Sequence, residues 1–246
     1  MIDENRRTSF DRNAALYDAV RPSYDPRIVD IVREHGTRVL EVGAGTGKAT
    51  EILARGGLTV TAVEPGAAMA GVLRGKQLPN TTVVESRFED YVGHDFDVVV
   101  AAQAWHWMDP AKKHVLAAAA APHLAVIYNM ADFDPALRAE LDAAYKAHFV
   151  GSEDRFTPPE EHRANYLREI VESGVFAPPH VHELAWTQRY TTQQYLDLIS
   201  TYSDHTLLPE PNRTALFSAI AAAIDARGGE TVIPYVTLVF LARRLG

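Results

Sequence analysis

Val39, Leu40, Glu41, Val42, Gly43, Ala44, Gly45, Thr46 and Gly47 make up the stretch that decides the fold. A short run of Val and Leu breaks into glycines at alternate positions, then passes into Lys48, Ala49, Thr50, Glu51, Ile52, Leu53 and Ala54, whose apolar residues have helical spacing. The pattern predicts a strand, a tight turn and a helix. Gly43, Gly45 and Gly47 carry no Cβ, so the turn can take positive φ and a ligand can approach the backbone closely. Amide donors at the start of the following helix face the same spot.

Two phosphate readings of this turn fail. A P-loop needs Gly, four residues, then Gly, Lys and Ser or Thr; here Val42 stands where the first Gly belongs and Ala49 where the hydroxyl belongs. The dinucleotide fingerprint fits little better, because its third glycine falls on Lys48 counted from Gly43 and on Thr50 counted from Gly45. Glu41, at the strand end, would repel a pyrophosphate and suits an ammonium group or an amide. A second apolar run at 58–63 ends in Glu64 and Pro65, roughly 20 residues past the turn, where a carboxylate can take both hydroxyls of a ribose. Together these features predict a nucleoside ligand without a phosphate chain.

The run Glu41 to Gly47 followed by Glu64 resembles motif I and its acidic partner in the class I S-adenosylmethionine-dependent methyltransferases. That resemblance implies a Rossmann-like, doubly wound α/β sheet of seven strands, mostly parallel with an antiparallel last strand. It also implies S-adenosylmethionine as cofactor, held by Glu41, Gly43, Ala44, Gly45, Thr46, Gly47, Glu64 and Pro65. Ahead of the motif, Tyr17, Arg21 and Tyr24 resemble the Tyr, Arg-Pro and Tyr pattern of small-molecule methyltransferases, which would turn Tyr17 and Arg21 toward the methionine end, with Arg21 paired to its carboxylate. An amphipathic helix capped by an arginine is the other reading of residues 8–24. Met69, on a helix at 66–74, either covers one face of the adenine or fills the core. Arg87 and Phe88, after a third strand at 81–85, resemble the loop that meets the adenine amino group and ring.

A fourth strand is read at 95–102, from the unbroken apolar run of Val98, Val99, Val100, Ala101 and Ala102. Past its carboxyl end, where open α/β sheets bind ligands, come Gln103, Ala104, Trp105, His106, Trp107, Met108, Asp109 and Pro110. Gln103 is assigned to the cofactor. His106 is the best general-base candidate, because an imidazole titrates near neutrality; packing between tryptophans is its alternative. Trp105 and Trp107 are candidates to box the sulfonium or the substrate, with core burial the alternative for at least one of them, and Tyr202, with Ser203 and His205, is a candidate to point toward the substrate.

The 246 residues are read as one domain: N-terminal helices at 1–36, a cofactor-binding core at 37–131, a helical lid insertion at 132–178, and strands and helices at 179–246 that complete the sheet. Formal net charge is −8, which gives a nucleic-acid partner no electrostatic footprint. Cysteine is absent, which removes disulfides and thiolate zinc sites, and the histidines and carboxylates lack the short spacings of a metal site. No apolar stretch reaches membrane-spanning length, so the expectation is a cytoplasmic protein with a small-molecule partner. The chain resembles methyltransferases acting on aconitate or natural products, and Arg155, Arg163 or Arg189 are candidates to bind a carboxylate substrate. A non-catalytic binder with the same fold and a dehydrogenase are the competing classes.

Overall fold

The chain is described by a computed structural model over residues 13–149 and 159–246. Its elements run α1 (Ala14–Val20), α2 (Ile28–Arg33), β1 (Arg38–Val42), α3 (Lys48–Arg55), β2 (Thr59–Val63), α4 (Ala67–Gly75), β3 (Thr81–Val84), β4 (Val98–Ala102), α5 (Lys113–Ala120) and β5 (His123–Ala131). They continue as α6 (Pro135–His148), α7 (Pro159–Glu172), β6 (His180–Thr191), α8 (Thr192–Ser200), α9 (Ser203–Thr206), α10 (Glu210–Asp225) and β7 (Glu230–Arg243). Two 3-10 turns, Phe88–Asp90 and Trp105–Trp107, lie beyond β3 and β4.

The seven strands form one sheet in the order β3-β2-β1-β4-β5-β7-β6. The four pairings from β3 to β5 are parallel, and β7 is antiparallel to both β5 and β6. Strand order reverses between β1 and β4, so the connections that follow them leave toward opposite faces of the sheet and open a crevice outside their carboxyl ends, the usual ligand position in such sheets. Both faces are covered. Leu40, Val42, Val99, Val126 and Tyr128 pack on one face with Ala117 and Ile170 of α5 and α7; Val39, Val98, Val100 and Ile127 pack on the other with Ile28, Leu53 and Leu73. The alternation of neighbours between faces is the period of two of a strand, and burial on both sides explains why these strands read as unbroken apolar runs.

Residues 132–178, expected as one lid, divide between two places. Leu137, Leu141 and Tyr145 of α6 join Leu198, Ile199, Leu216 and Ile220 of α8 and α10, over Tyr190, Ile233 and Tyr235 of the β6–β7 hairpin. By contrast α7 lies on the sheet through Tyr166, Leu167 and Ile170. Arg155 and Pro158, with the first part of the expected helix at 8–24, lie outside the described residues. Among the described residues no helix is long and apolar enough to cross a membrane.

Candidate active site

Above the crevice lies a cavity of about 860 Å³. Its floor is the glycine turn, with φ of 67° at Gly43, 58° at Gly45 and 85° at Gly47. The amides of Gly43 and Ala44 donate to the Val63 carbonyl at 2.9 and 3.1 Å, which ties the turn to the end of β2. The next carboxylate completes the knot: Gly45 N–H donates to Glu64 Oε2 and Gly66 N–H to Oε1, both at 2.8 Å. Glu64 is thereby fixed in position and orientation.

Each glycine is required for a different reason. A Cβ on Gly43 would stand 2.6 Å from Ala104 Cβ, so its bareness lets the loop after β4 close onto the turn. A Cβ on Gly47 would meet Leu73 Cδ1 at 2.2 Å, so this glycine serves the packing of α3 on α4 and is not part of the cavity wall. A Cβ on Gly45 would meet nothing within 4 Å, and Gly45 lines the cavity.

Glu41 lines the cavity although its surface is only 1% exposed, and its Oε2 accepts a 2.6 Å hydrogen bond from Thr50 Oγ1. Burial pushes its pKa up to about 7, against the Thr50 hydrogen bond and with help from the nearby Glu64 charge. A cation placed beside it would restore the charged form. Tyr24 lies over the same wall, its phenol raised well above the ordinary value by burial and by the proximity of Tyr17 and Glu41.

Arg21 reaches the cavity too, but its guanidinium is already engaged. Nε donates to Thr201 Oγ1 at 2.8 Å and Nη2 to the Thr201 carbonyl at 3.0 Å. The group is flanked by the rings of Tyr17 and Tyr202, at 4.8 and 4.4 Å from their centroids. Through these contacts it clamps the end of α1 to the end of α8.

On the adenine side expected from the sequence, Pro65, Met69, Arg87 and Phe88 all line the cavity, with Met69 and Phe88 otherwise buried. Glu89, which the sequence reading passed over, steadies this wall: Oε1 accepts from the Asp109 amide at 2.7 Å and Oε2 lies 3.6 Å from Arg87 Nε.

The loop after β4 starts with Gln103 in a left-handed conformation, φ 54°, held by its amide on the Ile127 carbonyl and its side chain on the Asn129 carbonyl. The 3-10 turn that follows sends successive side chains about 120° apart, and this separates the two tryptophans. Trp107 and His106 line the cavity, their rings 4.7 Å apart. Trp105 does not; it is fully buried, with the Lys113 ammonium 5.0 Å from its ring centroid and Lys113 Nζ donating to its carbonyl. His106 Nδ1 lies 3.1 Å from the Tyr128 hydroxyl.

Tyr202 lines the cavity with Ser203 and Asp204, whereas His205 is buried against Tyr145 Oη at 3.0 Å and Asp204 at 2.9 Å. Arg163 and Arg189 are spent on exposed pairs with Glu183 and Glu230 and lie away from the cavity. None of the described residues of 132–178 lines it. Asn129, missed from the sequence, sits at the carboxyl end of β5, where the strand-end rule that found Gln103 would have found it; Asp204 carries no comparable signal.

Comparison with known proteins agrees with this geometry. Residues 39–125 match the family model of a methyltransferase domain. Uncharacterised methyltransferases of Mycobacterium tuberculosis and Mycobacterium bovis are each 31% identical over 241 residues, spanning 94% of this chain and 93% of theirs. A Bacillus subtilis methyltransferase, likewise uncharacterised, is 36% identical over 92 residues, 37% of this chain and 43% of its own. A provisionally assigned type II methyltransferase from Anaeromyxobacter dehalogenans shares the fold with a TM-score of 0.65 at 22% identity, over 91% of this chain and 97% of that one. The kinship with aconitate methyltransferases expected from the sequence is not carried by these relatives. The chain belongs to the class I S-adenosylmethionine-dependent methyltransferases.

Proposed function

We propose that this enzyme methylates a protic group of a small molecule, with Glu64 on the ribose hydroxyls of the cofactor, Glu41 facing its amino group and His106 taking the proton from the acceptor. One observation carries the reading: a single cavity of about 860 Å³ is lined both by the Glu64-tethered glycine turn and by His106, Trp107 and Tyr202. That volume falls within the range of small-molecule sites. The residues fit the cofactor. Open space above Gly45 admits a ligand to the backbone, the fixed Glu64 carboxylate suits a diol, and a buried carboxyl near neutrality suits an ammonium. Met69 and Phe88 offer apolar surface for a base.

Bound S-adenosylmethionine supplies an electrophilic methyl carbon on a sulfonium, so the hard chemistry belongs to the cofactor. The chain has three tasks left: alignment, exclusion of water and removal of a proton. Trp107 and Tyr202 supply aromatic walls to the acceptor side, and the Arg21 clamp holds Tyr17 and Tyr202 at the mouth. As the acceptor's heteroatom gains the methyl group, its proton passes to His106. With a net charge of −8 the acceptor is a small molecule and not a nucleic acid, whose phosphates would be repelled.

Incubation with isotope-labelled cofactor and a panel of phenols, carboxylic acids and amines tests this. Repeated turnover on one of these classes supports the reading; cofactor binding without transfer to any of them contradicts it. His106→Ala is expected to lower kcat by about 10²–10⁴ while cofactor affinity stays within about twofold. A fully active variant would remove His106 from the chemistry.

A further inference from the structure

We infer that Lys48, with Thr46 and the first amides of α3, forms an anion site in the cavity wall that takes the carboxylate of the cofactor's amino acid. The inference deepens the proposed placing of the cofactor's ammonium at Glu41 and rests on it.

S-adenosylmethionine carries its carboxylate and its ammonium on one carbon, so an ammonium received by Glu41 leaves the carboxylate close by, in need of donors or a cation. Glu41 is fixed against the first turn of α3, where its Oε2 accepts from Thr50 Oγ1 at 2.6 Å. Thr46 and Lys48 flank the start of the same helix, on either side of its Gly47 cap, and both line the cavity.

Three kinds of donor converge there. Thr46 is 1% exposed and its Oγ1 has no hydrogen-bond partner among the described residues. A buried hydroxyl in that state is costly until a ligand supplies an acceptor. Within α3 the Glu51 amide donates to the Gly47 carbonyl at 2.9 Å, and the amides ahead of it have no helical acceptor. Lys48 is half-buried and forms no ion pair among the described residues. The carboxylates whose charges reach it are committed elsewhere: Asp18 lies 2.8 Å from Lys76 Nζ, and Glu51 lies 3.3 Å from the same nitrogen and 3.0 Å from Arg55. Asp18 is also near enough to feel the Thr46 hydroxyl, but Lys76 already neutralises it. Burial holds the Lys48 ammonium below its ordinary pKa, a cost that an anion beside it would offset. Arg21 is the other cation within reach of this end of the cavity, and its Nε and Nη2 already donate to Thr201.

Titration calorimetry at pH 8 with S-adenosylhomocysteine and with its decarboxylated analogue, which keeps the ammonium and lacks the carboxylate, tests the site. Lys48→Gln is expected to weaken S-adenosylhomocysteine about tenfold or more and Thr46→Val about threefold or more, while the analogue stays within about twofold of its native affinity in both. Lys48→Arg, which keeps the charge, should hold S-adenosylhomocysteine within about threefold of the native protein. Binding of the analogue also shows that each variant is folded. Equal losses on the two ligands in Lys48→Gln, or no loss on either, overturn the inference. A carboxylate-dependent loss in Arg21→Gln with none in Lys48→Gln assigns the group to Arg21 and overturns it as well. Glu41→Gln examines the reading beneath: it should weaken both ligands, since both carry the ammonium. A Glu41→Gln protein that binds both as the native one does overturns the ammonium placement, whatever the Lys48 variants show, so the two failures are distinguishable.

Discussion

Glu41 sits in a protein wall beside a second carboxyl group and titrates at about 7, and this makes two consequences measurable. The first is cofactor binding. If an ammonium pairs with Glu41, binding must expel a proton wherever Glu41 is protonated, and affinity for S-adenosylhomocysteine should rise about tenfold between pH 6 and pH 8. Calorimetry in two buffers of different ionisation enthalpy should register proton release below pH 7, and a flat profile would detach the amino group from Glu41. The second is stability. The folded pKa is raised from 4.5 to about 7, so across that window the native state keeps a proton that the unfolded chain has lost. Stability of the ligand-free protein therefore declines as pH climbs from 4.5 to 7, by about 3 kcal/mol at most from this group. Glu41→Gln should flatten that slope in urea melts, and an unchanged slope would assign it to other groups. The charge of Glu41 was legible in the sequence, because an acid at a strand end beside a glycine turn has few other uses. Its pKa was not, because burial and the Thr50 hydrogen bond are properties of the fold.

At the scale of elements, the glycine turn was read correctly as a strand, a turn and a helix, but the jobs of its glycines were not separable from spacing alone. Substitution separates them. Gly45→Ala should fold with a loss of about 1 kcal/mol for its left-handed backbone, yet bind S-adenosylhomocysteine about tenfold or more weakly, because the new methyl group projects into the cavity. Gly47→Ala adds a clash with Leu73 and should be the less stable of the two by thermal melting; the reverse order would contradict the geometry. The Trp, His, Trp turn was half legible. Alternating tryptophans beside a strand end pointed to the site, but which one faces it depends on the 3-10 turn and on Lys113, whose ammonium lies under Trp105 and 2.5 Å from Glu169 of α7. Glu169→Ala would leave that lysine buried without its partner, at a cost of about 2–3 kcal/mol, reduced from the fully buried case because Glu169 is 34% exposed. Chemical denaturation should show it, and a neutral effect would mean that Lys113 is solvated in another way.

Over the whole molecule, the parallel half of the sheet was written in the chain as apolar runs that end in turns, because strands buried on both faces have little choice of composition. The other half was harder to read. Strands β6 and β7 run for 12 and 14 residues, and their outer halves support a separate cluster built from α6, α8 and α10. That cluster, with the Arg21 clamp, brings Tyr202 to the cavity; its neighbour Thr201 lies 180 residues from Arg21 in sequence, and no local pattern encodes such a contact. Of the arginines proposed for a substrate, Arg163 and Arg189 form surface pairs with Glu183 and Glu230. The central claim is that Glu64 and the turn it braces hold an adenosyl amino acid and not a dinucleotide. Titration calorimetry of the native protein and of Glu64→Ala with S-adenosylhomocysteine and with NAD addresses it directly. The account predicts one-site binding of S-adenosylhomocysteine, no binding of NAD, and an affinity about thirtyfold or more weaker in the variant, the equivalent of one or two charge-assisted hydrogen bonds; NAD binding in its place, or equal affinity in the two proteins, would contradict it.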